Sequence, residues 1–297
     1  MSTYNNIDHE LELKIRRGFS SDLKKFKAMK GWLDGAFKQM IIHNEYSMYS
    51  FRSRVKQVES LLKKFDEKVG DELSAQNLEK IWKEITSYNG LVNEIDDFIG
   101  GRLISYFIDD IPKLHNYLVE FERFDIVEVT IHDMITNHVL LRPILKSLNI
   151  IDNDADFMLD SLDKGNRKID FNVSCSVNHQ HSSSDSKKIP YQIRLNSNGY
   201  VGVHMIIKPL TYDDYWKNEP GLFGKFELQV RSLIHEAWAE IQHKVTYKGQ
   251  RMPEEVKNAK ASHLEGISTI LSGCEKALFS AAQKSGKGDT GKGDATL

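Results

Sequence analysis

The sequence predicts a mixed α/β (α+β) fold, a sheet of about five strands enclosed by helices. Three observations lead there. Residues 1–90 repeat apolar side chains at helical spacing. Short β-rich runs then alternate with helical ones between residues 100 and 231. The chain closes on two long helical stretches.

Taken in order, Phe51, Val55, Val58, Leu62 and Phe65 recur at helical spacing, with Arg54, Lys56, Lys63 and Lys64 on other faces. A second, polar-rich helix is expected over 72–95. Arg102 to Ile108 is short, β-rich and preceded by Gly100-Gly101, which suits a buried strand after a tight turn. A helix over 110–122 follows. Residues 125–190 hold a strand pattern (IVEVTI), an apolar stretch (VLLRPIL), a helical pattern near 154–162 and a polar loop (NHQHSSSDSKK). This segment reads as an insertion with a mobile tip. Strands are expected over 200–208 and 224–231, then helices over 233–247 and 254–282. The domain reading is one unit over 1–250, a helical extension over 251–282 and a disordered tail over 283–297.

The composition narrows the function classes. The chain has 297 residues and a formal charge of −2, which argues against a histone-like coat for nucleic acid. No apolar run approaches the ~20 residues of a membrane span. The first residues, MSTYNNIDHELELKIRR, carry no apolar stretch for a signal peptide, and two cysteines build no disulfide framework. The expected address is the cytoplasm, with no membrane partner.

Strand periodicity divides the reactive residues from the core. Over 224–231, Phe226, Leu228 and Val230 share one face, and Glu227, Gln229 and Arg231 the other. Over 200–208, Tyr200, Gly202 and His204 lie opposite Val201, Val203 and Met205. Many half-buried sheets carry such a polar face for solvation alone. Here the two rows would also make a polar floor for a nucleotide. Asp97 stands at the mouth of the first strand. Asp97 and Glu227 suit Mg²⁺, which takes one or two carboxylates plus substrate phosphates. Arg54, Lys56 and Lys64 would neutralise a triphosphate. Transfer of a phosphoryl-type group needs positioned phosphates, a metal, cations and an oriented nucleophile.

Four segments carry a family resemblance. Arg54-Val-Lys56-x-x-x-Ser60-Leu-x-x-Lys64 resembles the first motif of the synthetase domain of RelA/SpoT-type alarmone enzymes. Asp97-Phe-Ile-Gly100-Gly-Arg102 resembles their D-x-x-G-x-R motif. Asn198-Gly199-Tyr200-Val-Gly-Val-His204 is similar to N-G-Y-x-S-x-H, and Glu227-Leu-Gln229-Val-Arg231-Ser232 to E-x-Q-x-R-T/S. The segment from Ile234 to His243, with Tyr247-Lys248, is similar to the closing helix. The resemblance implies a nucleotidyltransferase-like fold and transfer of the β,γ-pyrophosphate of ATP to the 3′-hydroxyl of GDP or GTP. It implies that Arg54 and Arg102 sandwich the adenine and that Lys56, Ser60 and Lys64 hold the phosphates. Asp97 and Glu227 would bind Mg²⁺, with Glu227 also helping to deprotonate the hydroxyl. Tyr200 would stack on the acceptor guanine with His204 near its ribose or phosphates, supported by Gln229 and His243. Self-assembly through residues 254–282 is implied as well.

Three departures bear on the acceptor. Position 202 is Gly where the family commonly has Ser. Arg194 is the nearest cation where a Lys is common before N-G-Y. The stretch from Arg102 to Tyr200 is long. The acceptor therefore stays open between a guanine nucleotide, an adenine nucleotide and the 3′ end of tRNA, the last two as in toxin-like relatives. A non-catalytic nucleotide-binding regulator is the reading from another class, but the phosphate cations and both carboxylates are all retained. Other motifs fall short. GKGDTGKG has Gly293 where a P-loop needs Ser or Thr, His235-Glu236 lacks a second histidine at Ala239, and Cys175, His179 and His181 match no common zinc spacing. His132-Asp133 invites comparison with the family's hydrolase half, for which the chain before Arg54 is too short. The basic residues of positions 14–30 read as a solvated helix face.

Overall fold

A computed structural model describes residues 6–43, 48–74, 97–120, 124–134, 139–148, 168–176, 186–196, 199–209, 225–247 and 254–286. Its organising element is one sheet of seven strands: β1 (Met48–Val55), β2 (Ile99–Ser105), β3 (Phe124–Met134), β4 (Lys168–Ser176), β5 (Ser186–Asn196), β6 (Gly202–Pro209) and β7 (Phe226–Ser232). They lie in the order β1-β2-β7-β6-β3-β5-β4. The pairs β2/β7 and β3/β5 are parallel, and the other neighbours are antiparallel. Helices α1 (His9–His43), α2 (Val58–Ser74), α3 (Ile111–Glu120), α4 (Leu141–Ser147), α5 (Leu233–Tyr247) and α6 (Glu254–Gly286) accompany it. The expected mixed sheet with helices is present. No helix among the described residues is long and apolar enough to cross a membrane.

Alternation builds the core. Phe226, Leu228 and Val230 on β7 and Val203, Met205 and Ile207 on β6 are fully buried, while Glu227, Gln229 and His204 between them are partly exposed. On α1, Ile15, Phe19, Phe26, Leu33 and Phe37 recur at helical spacing and are buried. Phe26 stacks on Phe98 with centroids 5.1 Å apart, and Phe37 stacks on Phe51 at 4.3 Å. These contacts press α1 against the β1–β2 end of the sheet.

The structure corrects three expectations. The sheet has seven strands rather than about five. Residues 48–55 form a strand where helix was expected, and the helix starts at Val58. Phe51 and Val55 are four residues apart, a spacing that serves a period of two as well as one of 3.6, so the pair does not distinguish strand from helix. Gly100 and Gly101 lie inside β2, not in a turn before it: Gly100 pairs with Glu227 and Gly101 with Leu228. A Cβ at Gly101 would meet the Phe51 ring at 3.0 Å, so the missing side chain lets that ring cross the strand.

Residues 125–190, expected as an insertion, supply sheet. β3 lies between β6 and β5, with Val129 and Ile131 fully buried. β5 begins at Ser186, inside the segment expected as a polar loop. Its Ile189, Tyr191, Ile193 and Leu195 alternate and are buried. The helix expected near 154–162 lies outside the described residues, as does the helix expected over 72–95 beyond Ser74, where α2 ends.

Candidate active site

The register turns the polar face into rows. One row runs Arg54, Gly100, Glu227, Ile206 across β1, β2, β7 and β6. The next runs Arg52, Arg102, Gln229, His204, Thr130 and reaches β3. Gly202, His132 and Arg194 stand side by side one step further on. The motif residues, scattered along the chain, therefore share one surface because strands distant in sequence are neighbours in the sheet.

The first end of this surface is a cavity of about 650 Å³ lined by Arg52, Arg54, Lys56, Asp97, Arg102 and Glu227, among others. Asp97 receives Lys56 Nζ on Oδ2 at 2.7 Å and Lys64 Nζ on Oδ1 at 3.0 Å. The backbone N–H of Lys56 donates to Phe98 O at 2.8 Å, which fixes the exit of β1 against the entry to β2. Arg102 Nη1 donates to Glu236 Oε1 at 2.8 Å and to Glu240 Oε1 at 2.6 Å, both on α5. Arg54 is exposed at the rim. Ser60 is exposed on the first turn of α2 and is not among the residues lining the cavity.

The second end is a polar cluster. His204 Nδ1 lies 2.9 Å from Glu227 Oε1, and its Nε2 lies 2.6 Å from the Tyr200 hydroxyl. Gln229 Nε2 donates to Glu227 Oε2 at 3.1 Å. Arg231 donates to the Tyr200 hydroxyl, to Gln229 Oε1 at 2.7 Å and to Glu236 Oε2 at 2.9 Å. Its guanidinium carbon sits 4.7 Å above the Tyr200 ring centroid. Gly202 makes room for this. A Cβ there would meet Val230 O at 3.1 Å and Arg231 Cγ at 3.2 Å, so a serine would press on the arginine.

Charge follows from these contacts. Burial pushes the Glu227 carboxyl up, but the His204 hydrogen bond and charge, then Gln229 and Lys64, outweigh it and hold the group at about 2. Burial pushes the Tyr200 hydroxyl up to about 12, against the pull of Arg231. The structure thus fixes an anion at Glu227 and a neutral phenol at Tyr200 near neutral pH.

Of the residues singled out in the sequence, Arg54, Lys56, Asp97, Arg102, Glu227 and Gln229 line the cavity. Lys64 joins through Asp97, and Tyr200 and His204 join through Glu227. Arg194 lies beside His132 in register, but its Nε donates to Gln192. His243 falls within α5, its side chain outside the described residues.

Sequence reasoning missed three contributors. Arg52 lines the cavity directly across from Arg102. Glu236 bridges Arg102 and Arg231. His132 packs edge-on to Tyr200 at 5.2 Å and lies 4.5 Å from His204 between centroids. The signal for His132 was the alternation of β3, which buries Val129 and Ile131 and leaves Thr130 and His132 on the polar face.

His132 also carries a prediction. Burial first, then the charges of His204, Arg194 and Arg231, depress it to about 3, and burial, against the hydrogen bond with Asn116, takes His115 to about 4. Both histidines are neutral when folded, whereas the unfolded chain binds protons below about 6.5. The unfolded state then holds more protons, so stability falls as pH drops below 6.5, by up to about 1.4 kcal/mol per pH unit per histidine. Asp110, raised to about 6 mainly by burial, works the other way between about 4 and 6. Urea unfolding of wild type and His115→Gln between pH 7 and 4.5 isolates one histidine. The variant is expected to show the shallower loss, and equal slopes would contradict the burial argument.

No protein-family model matches the chain, and no curated protein does. What the architecture defines is a nucleotidyltransferase-like α+β fold. Among the solved structures that share it are two of a single enzyme. One is the small alarmone synthetase 1 from Bacillus subtilis, with a TM-score of 0.51 and 16% identity over 90% of this chain and 99% of that one. The other is the same enzyme bound to its product pppGpp, with a TM-score of 0.50 and 16% identity over 90% of this chain and 98% of that one. The chain has the fold of the small alarmone synthetases, and at this identity the likeness is one of fold.

Proposed function

We propose that this protein is a pyrophosphokinase that moves the β,γ-pyrophosphate of ATP to the 3′-hydroxyl of GDP or GTP, giving (p)ppGpp. The observation that carries the reading is the position of Glu227. It lines the cationic cavity and at the same time holds His204 of the Tyr200 cluster at 2.9 Å. A transfer reaction needs such a meeting point between a donor side and an acceptor side. The shared fold supports the reading.

In this reading Lys56 and Lys64 leave Asp97 for the phosphates of ATP, and Arg52, Arg54 and Arg102 line the adenine end. Asp97 and Glu227 are hard oxygen donors on one cavity, and Glu227 stays ionised at any working pH. They fit Mg²⁺, which would neutralise phosphate charge there. The 3′-oxygen bonds to the β-phosphorus and gives up its proton to solvent, the bond from that phosphorus to the α,β-bridging oxygen breaks, and AMP leaves. A carboxylate held at about 2 is a weak base. Glu227 therefore contributes charge and position more than proton capture. Tyr200 and His204 would orient the acceptor nucleoside.

The test is a product assay with γ-labelled ATP, Mg²⁺ and one acceptor at a time: GDP, GTP, ADP, ATP or deacylated tRNA. Label on a guanine nucleotide is the expected result. Label on tRNA or an adenine nucleotide alone would overturn the acceptor assignment. The Gly202–Arg231 contact favours that second reading, because it alters the side of the site where the family pattern has a hydroxyl. No transfer to any acceptor, with ATP binding intact by calorimetry, would leave a nucleotide-binding regulator.

A further inference from the structure

We infer that Ser268, on the C-terminal helix α6, is a positioning residue for the loop that presents Tyr200, so that this helix forms part of the acceptor side of the site. The inference rests on the function proposed above. Its structural basis lies in contacts outside the motifs.

Gly199 has φ +74°, a left-handed conformation that glycine adopts at little cost. A Cβ at Gly199 would come within 2.4 Å of Ser268 Cβ and 3.0 Å of Leu264 O. Loop and helix are therefore in direct contact, and only glycine fits. The Ser268 hydroxyl donates to Gly199 O at 2.6 Å, and Ser268 is fully buried. The next residue is Tyr200, whose hydroxyl meets His204 and Arg231. The serine thus fixes the carbonyl on one side of Tyr200, and the site fixes the ring on the other.

The same helix face continues the pattern. Ser272 and Glu275 are also fully buried. Ser272 Oγ lies 3.1 Å from His235 Nε2. Glu275 lies 3.2 Å from His235 Nδ1 and accepts the N–H of Ile108 at 2.7 Å. His235 precedes Glu236, which grips Arg102 and Arg231. Burying a polar side chain costs free energy unless it is hydrogen-bonded, and a helix that only covered a core would use apolar residues here. Ser268 instead holds the Gly199 loop, and Ser272 and Glu275 both hold His235 at the start of α5.

The experiment compares wild type, Ser268→Ala and Ser268→Cys, the last similar in shape, slightly larger and keeping a weak donor. In the transfer assay, Ser268→Ala is expected to raise KM for the acceptor roughly three- to tenfold, the effect of one hydrogen bond. The affinity for a non-hydrolysable ATP analogue should stay unchanged, and Ser268→Cys should fall between. Hydrogen exchange is read in parallel. The amides of Tyr200 to Val203 should exchange faster in Ser268→Ala while those of β2 do not. Unchanged KM and unchanged exchange would overturn the inference, as would equal loss of donor and acceptor binding, which marks a general structural role. If wild type transfers nothing, the functional reading fails separately, and the exchange data alone decide whether Ser268 holds the loop.

Discussion

Replacing Glu227 with glutamine is expected to abolish pyrophosphate transfer, by about a thousandfold or more, while the chain still folds. Glutamine keeps the shape and a carbonyl oxygen toward its neighbours. It removes the charge that faces His204 at 2.9 Å and Lys64 across the cavity. It also removes a hard oxygen ligand for the proposed Mg²⁺. The neighbouring Phe226 and Leu228, both fully buried, keep β7 in the sheet. Circular dichroism and melting report the fold, and kcat/KM reports the chemistry. Full activity in Glu227→Gln would sink the assignment of the site, whatever the acceptor proves to be.

The second large effect falls on stability. Asp133 is fully buried and accepts four backbone N–H groups: Met134 at 2.8 Å, Val139 at 3.2 Å, Leu140 at 2.9 Å and Leu141 at 2.8 Å. It closes the end of β3 onto the first turn of α4, where the unpaired amides of a helix start need acceptors. Asp133→Ala is expected to cost about 3–5 kcal/mol, since each buried donor left without a partner costs about 1–3 kcal/mol and the chain relaxes in part. That is a large share of the roughly 5–15 kcal/mol available to a folded domain. Urea unfolding measures it. A loss below about 1 kcal/mol would mean that the amides find other acceptors. Asp133→Asn, which keeps one carbonyl oxygen, should lie between. The His132-Asp133 pair, which in the sequence suggested hydrolytic chemistry, thus divides its work: the aspartate caps a helix and the histidine packs against Tyr200.

These two residues also show where sequence reading stops. Glu227 was legible because β7 alternates cleanly: Phe226, Leu228 and Val230 inward, Glu227 and Gln229 outward. His204 was legible for the same reason on β6, whereas Tyr200 lies in the loop just before that strand, which was expected to start at Tyr200 and starts at Gly202. His132 was not, because its role depends on β3 lying beside β6, a pairing between strands distant in sequence that no local pattern encodes. β1 was lost to a spacing shared by both periodicities. β5 was lost because Ser186 to Lys188 carry loop chemistry, although Ile189 to Leu195 alternate as a strand should. The partners of the cations were equally invisible. Nothing local to Arg102 says that Glu236 and Glu240 will receive it.

The parallel pairing of β2 with β7 has a consequence for when the protein can act. Gly100 meets Glu227 only after everything between them has been synthesised and strand β7 has joined the sheet. A growing chain exposes Arg54, Lys56 and Lys64 early and carries them without Glu227 until late. Contacts this distant in sequence form slowly, because the intervening chain must be ordered first. Any product of interrupted synthesis that ends before Phe226 lacks Glu227 and, in the proposed function, could not carry out the transfer. On that reading the topology makes transfer wait until β7 has joined the sheet, without any regulator.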